Sequence, residues 1–99
     1  MSRLTEAVLR SDISAMKEAI ALGDDLNEQD CGMAPLLWAI FGGYVDVVRL
    51  LLEGGADPNL RPNLSGSPLW HAEDDFGLTQ ISELLKSYGA VKATGEMTL

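Results

Sequence analysis

Apolar residues recur along this chain at helical spacing in short runs, and glycine closes nearly every run. In the stretch from Ala34 to Asn59, APLLWAIFGGYVDVVRLLLEGGADPN, Pro35 opens the first run. Proline is tolerated at the first position of a helix because the missing N–H would have no partner there. Leu36, Ala39 and Ile40 then share one face, and Gly42-Gly43 ends the run with a residue suited to the left-handed turn. A second run, from Val45 to Glu53, carries Val47, Val48, Leu50, Leu51 and Leu52 and stops at Gly54-Gly55. Both are shorter than the ~12–15 residues an isolated helix needs in water. The pattern therefore predicts a helical hairpin with apolar surface on both sides, a unit that requires similar neighbours.

Similar units flank it. Gly23-Asp24-Asp25-Leu26-Asn27 aligns with Gly55-Ala56-Asp57-Pro58-Asn59 at an offset of 32. On that register Leu4, Ala7, Met16, Ala19 and Ile20 meet Leu36, Ala39, Val48, Leu51 and Leu52. Pro35-Leu36 aligns with Pro68-Leu69 at 33, and Gly55-Ala56 with Gly89-Ala90 at 34. A period of about 33 that opens on Pro-Leu and closes on Gly-Ala resembles the ankyrin repeat, whose pattern runs T-P-L-H-x-A and ends near L-L-x-x-G-A. The resemblance spans residues 4 to 90. It implies an all-α fold: an ankyrin-repeat solenoid of three stacked helix-turn-helix units, an N-terminal cap, one internal repeat and a C-terminal cap. Helices are expected near 2–9, 13–21, 35–41, 45–53, 68–76 and 79–87. The units are placed at about 1–27, 28–59 and 60–90 of a single domain, with 91–99 as a loose, aperiodic tail.

Asn27 is expected to hydrogen-bond the backbone of its own turn. Asp30, Cys31 and Met33 would form the tip of the first inter-repeat finger; Arg61, Pro62, Asn63 and Gly66 belong to the second. In the middle unit Ala34 and Leu37 replace the family's Thr and His. Trp38 and Phe41 lie on the inner helix, where the family presents side chains to partners. Trp38 can be an exposed anchor or pack beneath the adjacent unit, whereas Phe41 is expected to be exposed. The last unit has one extra residue between Pro68 and Gly77, within Glu73-Asp74-Asp75-Phe76. Three acids late in a helix oppose its macrodipole, so another requirement must retain them.

Composition narrows the chemistry. Ninety-nine residues make one small domain, and 46% hydrophobic content is that of a globular protein. Fifteen acids against seven bases give −8, which disfavours nucleic acid as a partner and suits a basic one. The lone Cys31 permits no internal disulfide, which suits a reducing compartment. The first residues show no signal-peptide pattern and no run is long enough to span a membrane, so the expectation is a cytoplasmic monomer that needs no cofactor. His71, Asp74 and Asp75 stand at i, i+3 and i+4, a spacing that could serve a metal site or hydrolytic centre. Without a second histidine or an enclosed pocket, that remains the remote alternative.

The resemblance implies a non-catalytic protein-binding module. Asp30, Met33, Trp38, Phe41, Asn63, Trp70, Asp74, Asp75 and Phe76 are the expected partner-contacting residues on its concave face. Small size, acidity and stand-alone architecture are similar to compact bacterial ankyrin proteins, several of which are immunity proteins that block a cognate toxin. Toxin inhibition is therefore the functional expectation. A structural adaptor or assembly chaperone is the alternative.

Overall fold

A computed structural model describes residues 2–29, 33–60 and 66–93, without the side chain of Asp75. The expectations for Asp30, Cys31, Arg61, Pro62, Asn63 and the stretch 94–99 lie outside the described residues. Among those residues, six α-helices occur in three pairs: α1 (Arg3–Leu9) with α2 (Ile13–Ala21), α3 (Pro35–Gly42) with α4 (Val45–Glu53), and α5 (Pro68–Trp70) with α6 (Thr79–Ser87). The fold is the all-α stack of three helix pairs that the repeat pattern implies.

Local chemistry sets the helix starts. Ser2 Oγ accepts from the Thr5 N–H at 3.1 Å, Asp12 Oδ1 from Ala15 at 3.1 Å and Ser67 Oγ from Trp70 at 3.2 Å. Each satisfies an N–H that the first turn leaves without an intrahelical partner. α3 lacks a side-chain cap and begins with Pro35, which has no N–H to satisfy. Between the helices of each pair stands one left-handed residue: Ser11 with φ 54°, Gly43 with φ 72° and Gly77 with φ 65°. Ser11 is the exception in this set, since only glycine takes that conformation without a steric cost from Cβ.

One core runs through all three pairs. Leu4, Val8 and Met16 of the first continue into Leu36, Ile40, Val48 and Leu51 of the second, then Leu69, Ile81 and Leu85 of the third, all at most 4% exposed. Leu37, where the family pattern has histidine, is fully buried. A leucine there replaces hydrogen bonding with apolar burial.

Two expectations need correction. The predicted continuous α-helix over 68–76 is α only through Trp70, then a π-helical segment from His71 to Asp75. The Phe76 N–H donates to the His71 carbonyl at 3.0 Å, an i→i+5 bond. The extra residue causes this. Pro68 and Gly77 hold the positions of Pro35 and Gly43, and Leu69 and Ala72 are locked in the core. The additional residue can only widen the helix between those fixed points, which is how a π-bulge absorbs an insertion.

The second correction concerns the turns and the start of the tail. Asp25 and Asp57 each accept the N–H of the asparagine two residues on, both at 2.9 Å. The side chains of those asparagines reach across the stack rather than bonding their own turns. Asn27 Oδ1 accepts from the Asp57 N–H at 2.8 Å, and Asn59 Oδ1 from Val91 at 2.7 Å. Val91 thus stands in the third turn where Asp57 stands in the second. Ala93 follows, its carbonyl accepting from the Ser67 N–H at 2.8 Å and its own N–H donating to Ser67 Oγ at 2.9 Å. Residues 91–93 are therefore bonded to the stack, Val91 to Asn59 and Ala93 to Ser67 at the start of α5.

Candidate protein-binding surface

The end of α3 and the π-helical segment bring four aromatic rings together. Phe41 lies edge-to-face with His71 at 5.2 Å between centroids and with Phe76 at 5.4 Å. His71 also meets Trp70 at 5.0 Å, edge-to-face, and stacks with Phe76 at 6.4 Å. These are favourable geometries for rings whose edges are positive and faces negative. Trp70 in turn lies against Gly66, where a Cβ would come within 2.5 Å of its ring. A larger residue at position 66 would push the indole out of place.

The group crosses the boundary between the middle and last units. His71 is nearly buried at its centre, while Phe41 is 41% exposed and Phe76 44% exposed. The π geometry makes this possible. Phe76 is five residues beyond His71 and one π turn later, so their rings stack on the same side.

Two acids of this stretch, Glu73 and Asp74, are paired within the molecule. The Glu73 carboxylate accepts from Ser82 Oγ at 2.7 Å and meets Lys86 Nζ at 2.9 Å and Lys92 Nζ at 3.5 Å. Hydrogen bonding from Lys86 and then Ser82 holds its pKa down at about 2. Asp74 is exposed and meets Lys92 at 2.8 Å. Glu73 and Asp74, late in this helix, thus interact with α6 and with residue 92. Across the molecule, Arg3 clasps Asp24 through two bonds, at 2.8 and 2.7 Å, which lowers the pKa of Asp24.

The expected partner-contacting residues fare unequally. Phe41 and Phe76 are in direct contact and exposed; Trp70 joins them through His71. Met33 and Trp38 are half-buried. Trp38 packs against the core, and its indole N–H is enclosed without a hydrogen-bond partner among the described residues. Asp74 lies two residues before Phe76. Asp30 and Asn63, and the side chain of Asp75, are outside the described residues.

From sequence, His71 is a candidate for a metal site or a hydrolytic centre; its place as the hub of the rings emerges from the structure. The signal available in sequence is the inserted residue, which allows positions 71 and 76 to align. Among the described residues no three His, Cys, Asp or Glu side chains converge as a metal site. His71 is packed among rings, and Asp74 is engaged with Lys92. The described residues also contain no helix long and apolar enough to cross a membrane.

Comparison with known proteins agrees with this architecture. The family described as ankyrin repeats (3 copies) matches residues 4–94. An ankyrin repeat protein of fowlpox virus (strain NVSL) is 27% identical over 90 residues, which cover 90% of this chain and 12% of its own length. The 2-5A-dependent ribonuclease of Mus musculus is 38% identical over 69 residues, covering 68% of this chain and 9% of its own length. The crystal structure of the ankyrin repeat domain of Bcl-3 matches with a TM-score of 0.87 at 27% identity, over 92% of this chain and 40% of that one. The chain thus spans a small fraction of these two sequence relatives and less than half of the Bcl-3 chain.

Proposed function

Because this chain belongs to the ankyrin-repeat family, we propose that it is a non-catalytic module that holds a protein partner on the Phe41–Phe76 ring surface. The observation that carries this reading is the exposed pair itself. Two phenylalanines, 41% and 44% exposed, touch across a repeat boundary above a nearly buried histidine. Exposed aromatic anchors of fixed geometry are what binding hot spots use, because they lose little conformational freedom on contact. The charge of −8 favours a basic partner, for which it would accelerate encounter. A basic toxin held inactive by its inhibitor is one such partner, and that reading rests on the acidity.

Peptide display tests the surface directly, because selection from a random library requires no named partner. Selection is made on the wild-type protein and scored against Phe41→Ser/Phe76→Ser. The expected binders lose at least about tenfold in affinity for the double variant, a change of about 1.4 kcal/mol, while its circular dichroism stays helical. Binders that hold both proteins equally would place the interaction elsewhere. Growth rescue in cells expressing the product of an adjacent gene then tests the toxin reading separately.

A further inference from the structure

We propose that residues 91–93 are a strap that keeps the π-helical turn closed, with Lys92 and Ala93 acting as positioning residues for Phe76. The inference rests on the binding role proposed for the ring surface and names what controls that surface. The turn is closed by two wide bonds. The Phe76 N–H donates to the carbonyl of His71, five residues back, at 3.0 Å, and the Leu78 N–H to that of Ala72, six residues back, at 2.6 Å. Turns of this kind are rare and are found mostly as single bulges, often at functional sites. Phe76 keeps its place against Phe41 and His71 only while the turn is closed.

Three consecutive residues grip this helix from the chain that follows α6. The Val91 N–H donates to Asn59 Oδ1 at 2.7 Å, which ties the strap to the middle unit. Lys92 Nζ lies 2.8 Å from one oxygen of Asp74, 3.0 Å from the other and 3.5 Å from Glu73, so it holds the π-helical segment itself. Ala93 exchanges two hydrogen bonds with Ser67, at 2.8 and 2.9 Å, immediately before α5. The links differ in strength. Lys92 and Asp74 are both exposed, and such a pair alone contributes little. Ser67 is only 2% exposed, so losing Ala93 would leave a buried N–H without its partner, which is costly. Ala93 is therefore the anchor, and it keeps Lys92 beside the acids of the π-helical segment. Local opening draws on the least supported part of a fold. Here that part is the widened turn, and the strap holds it at both ends.

Native-state amide exchange followed by NMR reads the strap without any ligand. Lys92→Met/Ala93→Pro removes the ammonium and the Ala93 N–H. In this variant the Phe76 and Leu78 amides should exchange about tenfold faster, and the ring contacts of Phe76 with Phe41 and His71 should weaken. Lys92→Arg keeps the charge and should keep wild-type exchange. The Val48 and Leu51 amides report on the core and should not respond. Arg3→Met cuts the ion pair with Asp24 in the first unit and should leave Phe76 and Leu78 unchanged. Peptides selected on the wild-type protein should bind the double variant severalfold more weakly. Unchanged exchange at Phe76 and Leu78 would overturn the strap. So would equal acceleration at Val48 and Leu51, which marks a general loss of stability rather than a local opening. If exchange and ring contacts respond while the selected peptides hold both proteins equally, the strap stands and the binding role of the ring surface falls.

Discussion

Ile40, Val48 and Leu52 of the middle unit align with Glu73, Ser82 and Lys86 of the last. The first three are almost wholly buried and belong to the continuous core. The second three bond one another: Glu73 accepts from Ser82 and pairs with Lys86. The same hairpin thus carries an apolar stacking triad in one unit and an ion-paired triad in the other. The first unit ends in a related way. Arg3 and Asp24, at the positions of Pro35 and Ala56, form a bidentate ion pair. A repeat stack must give its terminal units polar outer faces to stay soluble. In the first and third pairs charged side chains satisfy one another, and the aromatic surface lies between the second and third units.

The strongest test of this contrast compares Leu51 with its counterpart Leu85. Both are fully buried. Leu51→Ala should cost ~2–5 kcal/mol, and Leu85→Ala should fall toward the lower end of that range. The reason is position: α4 packs within the stack, whereas α6 has a neighbouring pair on one side. Urea titration of both variants measures the difference. Equal losses would mean that stacking on both sides adds nothing.

Replacing the polar triad by the apolar one gives the next largest effect. Glu73→Ile/Ser82→Val/Lys86→Leu should turn the last face into a stacking surface. The expected outcome is concentration-dependent self-association in sedimentation velocity, at a concentration where wild type remains a single species. A monomeric triple variant would show that the ion-paired triad does not act as a cap.

Acid isolates Glu73 within that triad. Its pKa falls from 4.5 to about 2 on folding. A depressed carboxylate pKa contributes stability that is fully present above the unfolded value and is lost as pH drops through the folded one. Thermal stability should therefore decline between pH 4.5 and 2, and Glu73→Gln should flatten part of that decline. Asp24 shifts in the same direction through Arg3, so some acid sensitivity should survive in the variant. An unchanged profile in Glu73→Gln would remove Glu73 from the account.

Deleting Asp75 addresses the inserted residue directly. The last unit would then match the middle one in length and revert to an α-helix. Phe76 would rotate away from His71, and the ring contacts with Phe41 should disappear from the NMR spectrum while the overall fold persists. Retained ring contacts would show that the π-helical turn is not what aligns them.

The smallest expected effect is at the turn of the first unit. Ser11 is left-handed where the other two units have glycine. Ser11→Gly should remove a conformational cost of ~1–2 kcal/mol, offset in part by the greater freedom of glycine in the unfolded chain. A net gain of about 0.5–1 kcal/mol in denaturant unfolding would fit that balance.

The repeat is written in the amino-acid order alone. Helix starts and stops depend on Pro35, Pro68, Asp12 and the glycine turns, which act over a few residues. Expected and observed helix limits consequently agree to within a residue, except where the insertion falls. Exposure of Phe41 is also legible, because its position on the inner helix follows from the register. The effect of the insertion and the partners of the polar residues depend instead on packing between units. An extra residue can bulge, fray or lengthen a turn, and only Leu69 and Ala72 locked in the core with Gly77 fixed beyond them select the π-helical form. Likewise Asn27 to Asp57, Asn59 to Val91 and Asp74 to Lys92 join residues 30, 32 and 18 positions apart. Local propensity does not encode such partners, because they meet only after the hairpins have stacked and brought distant backbone and side-chain groups within hydrogen-bond range.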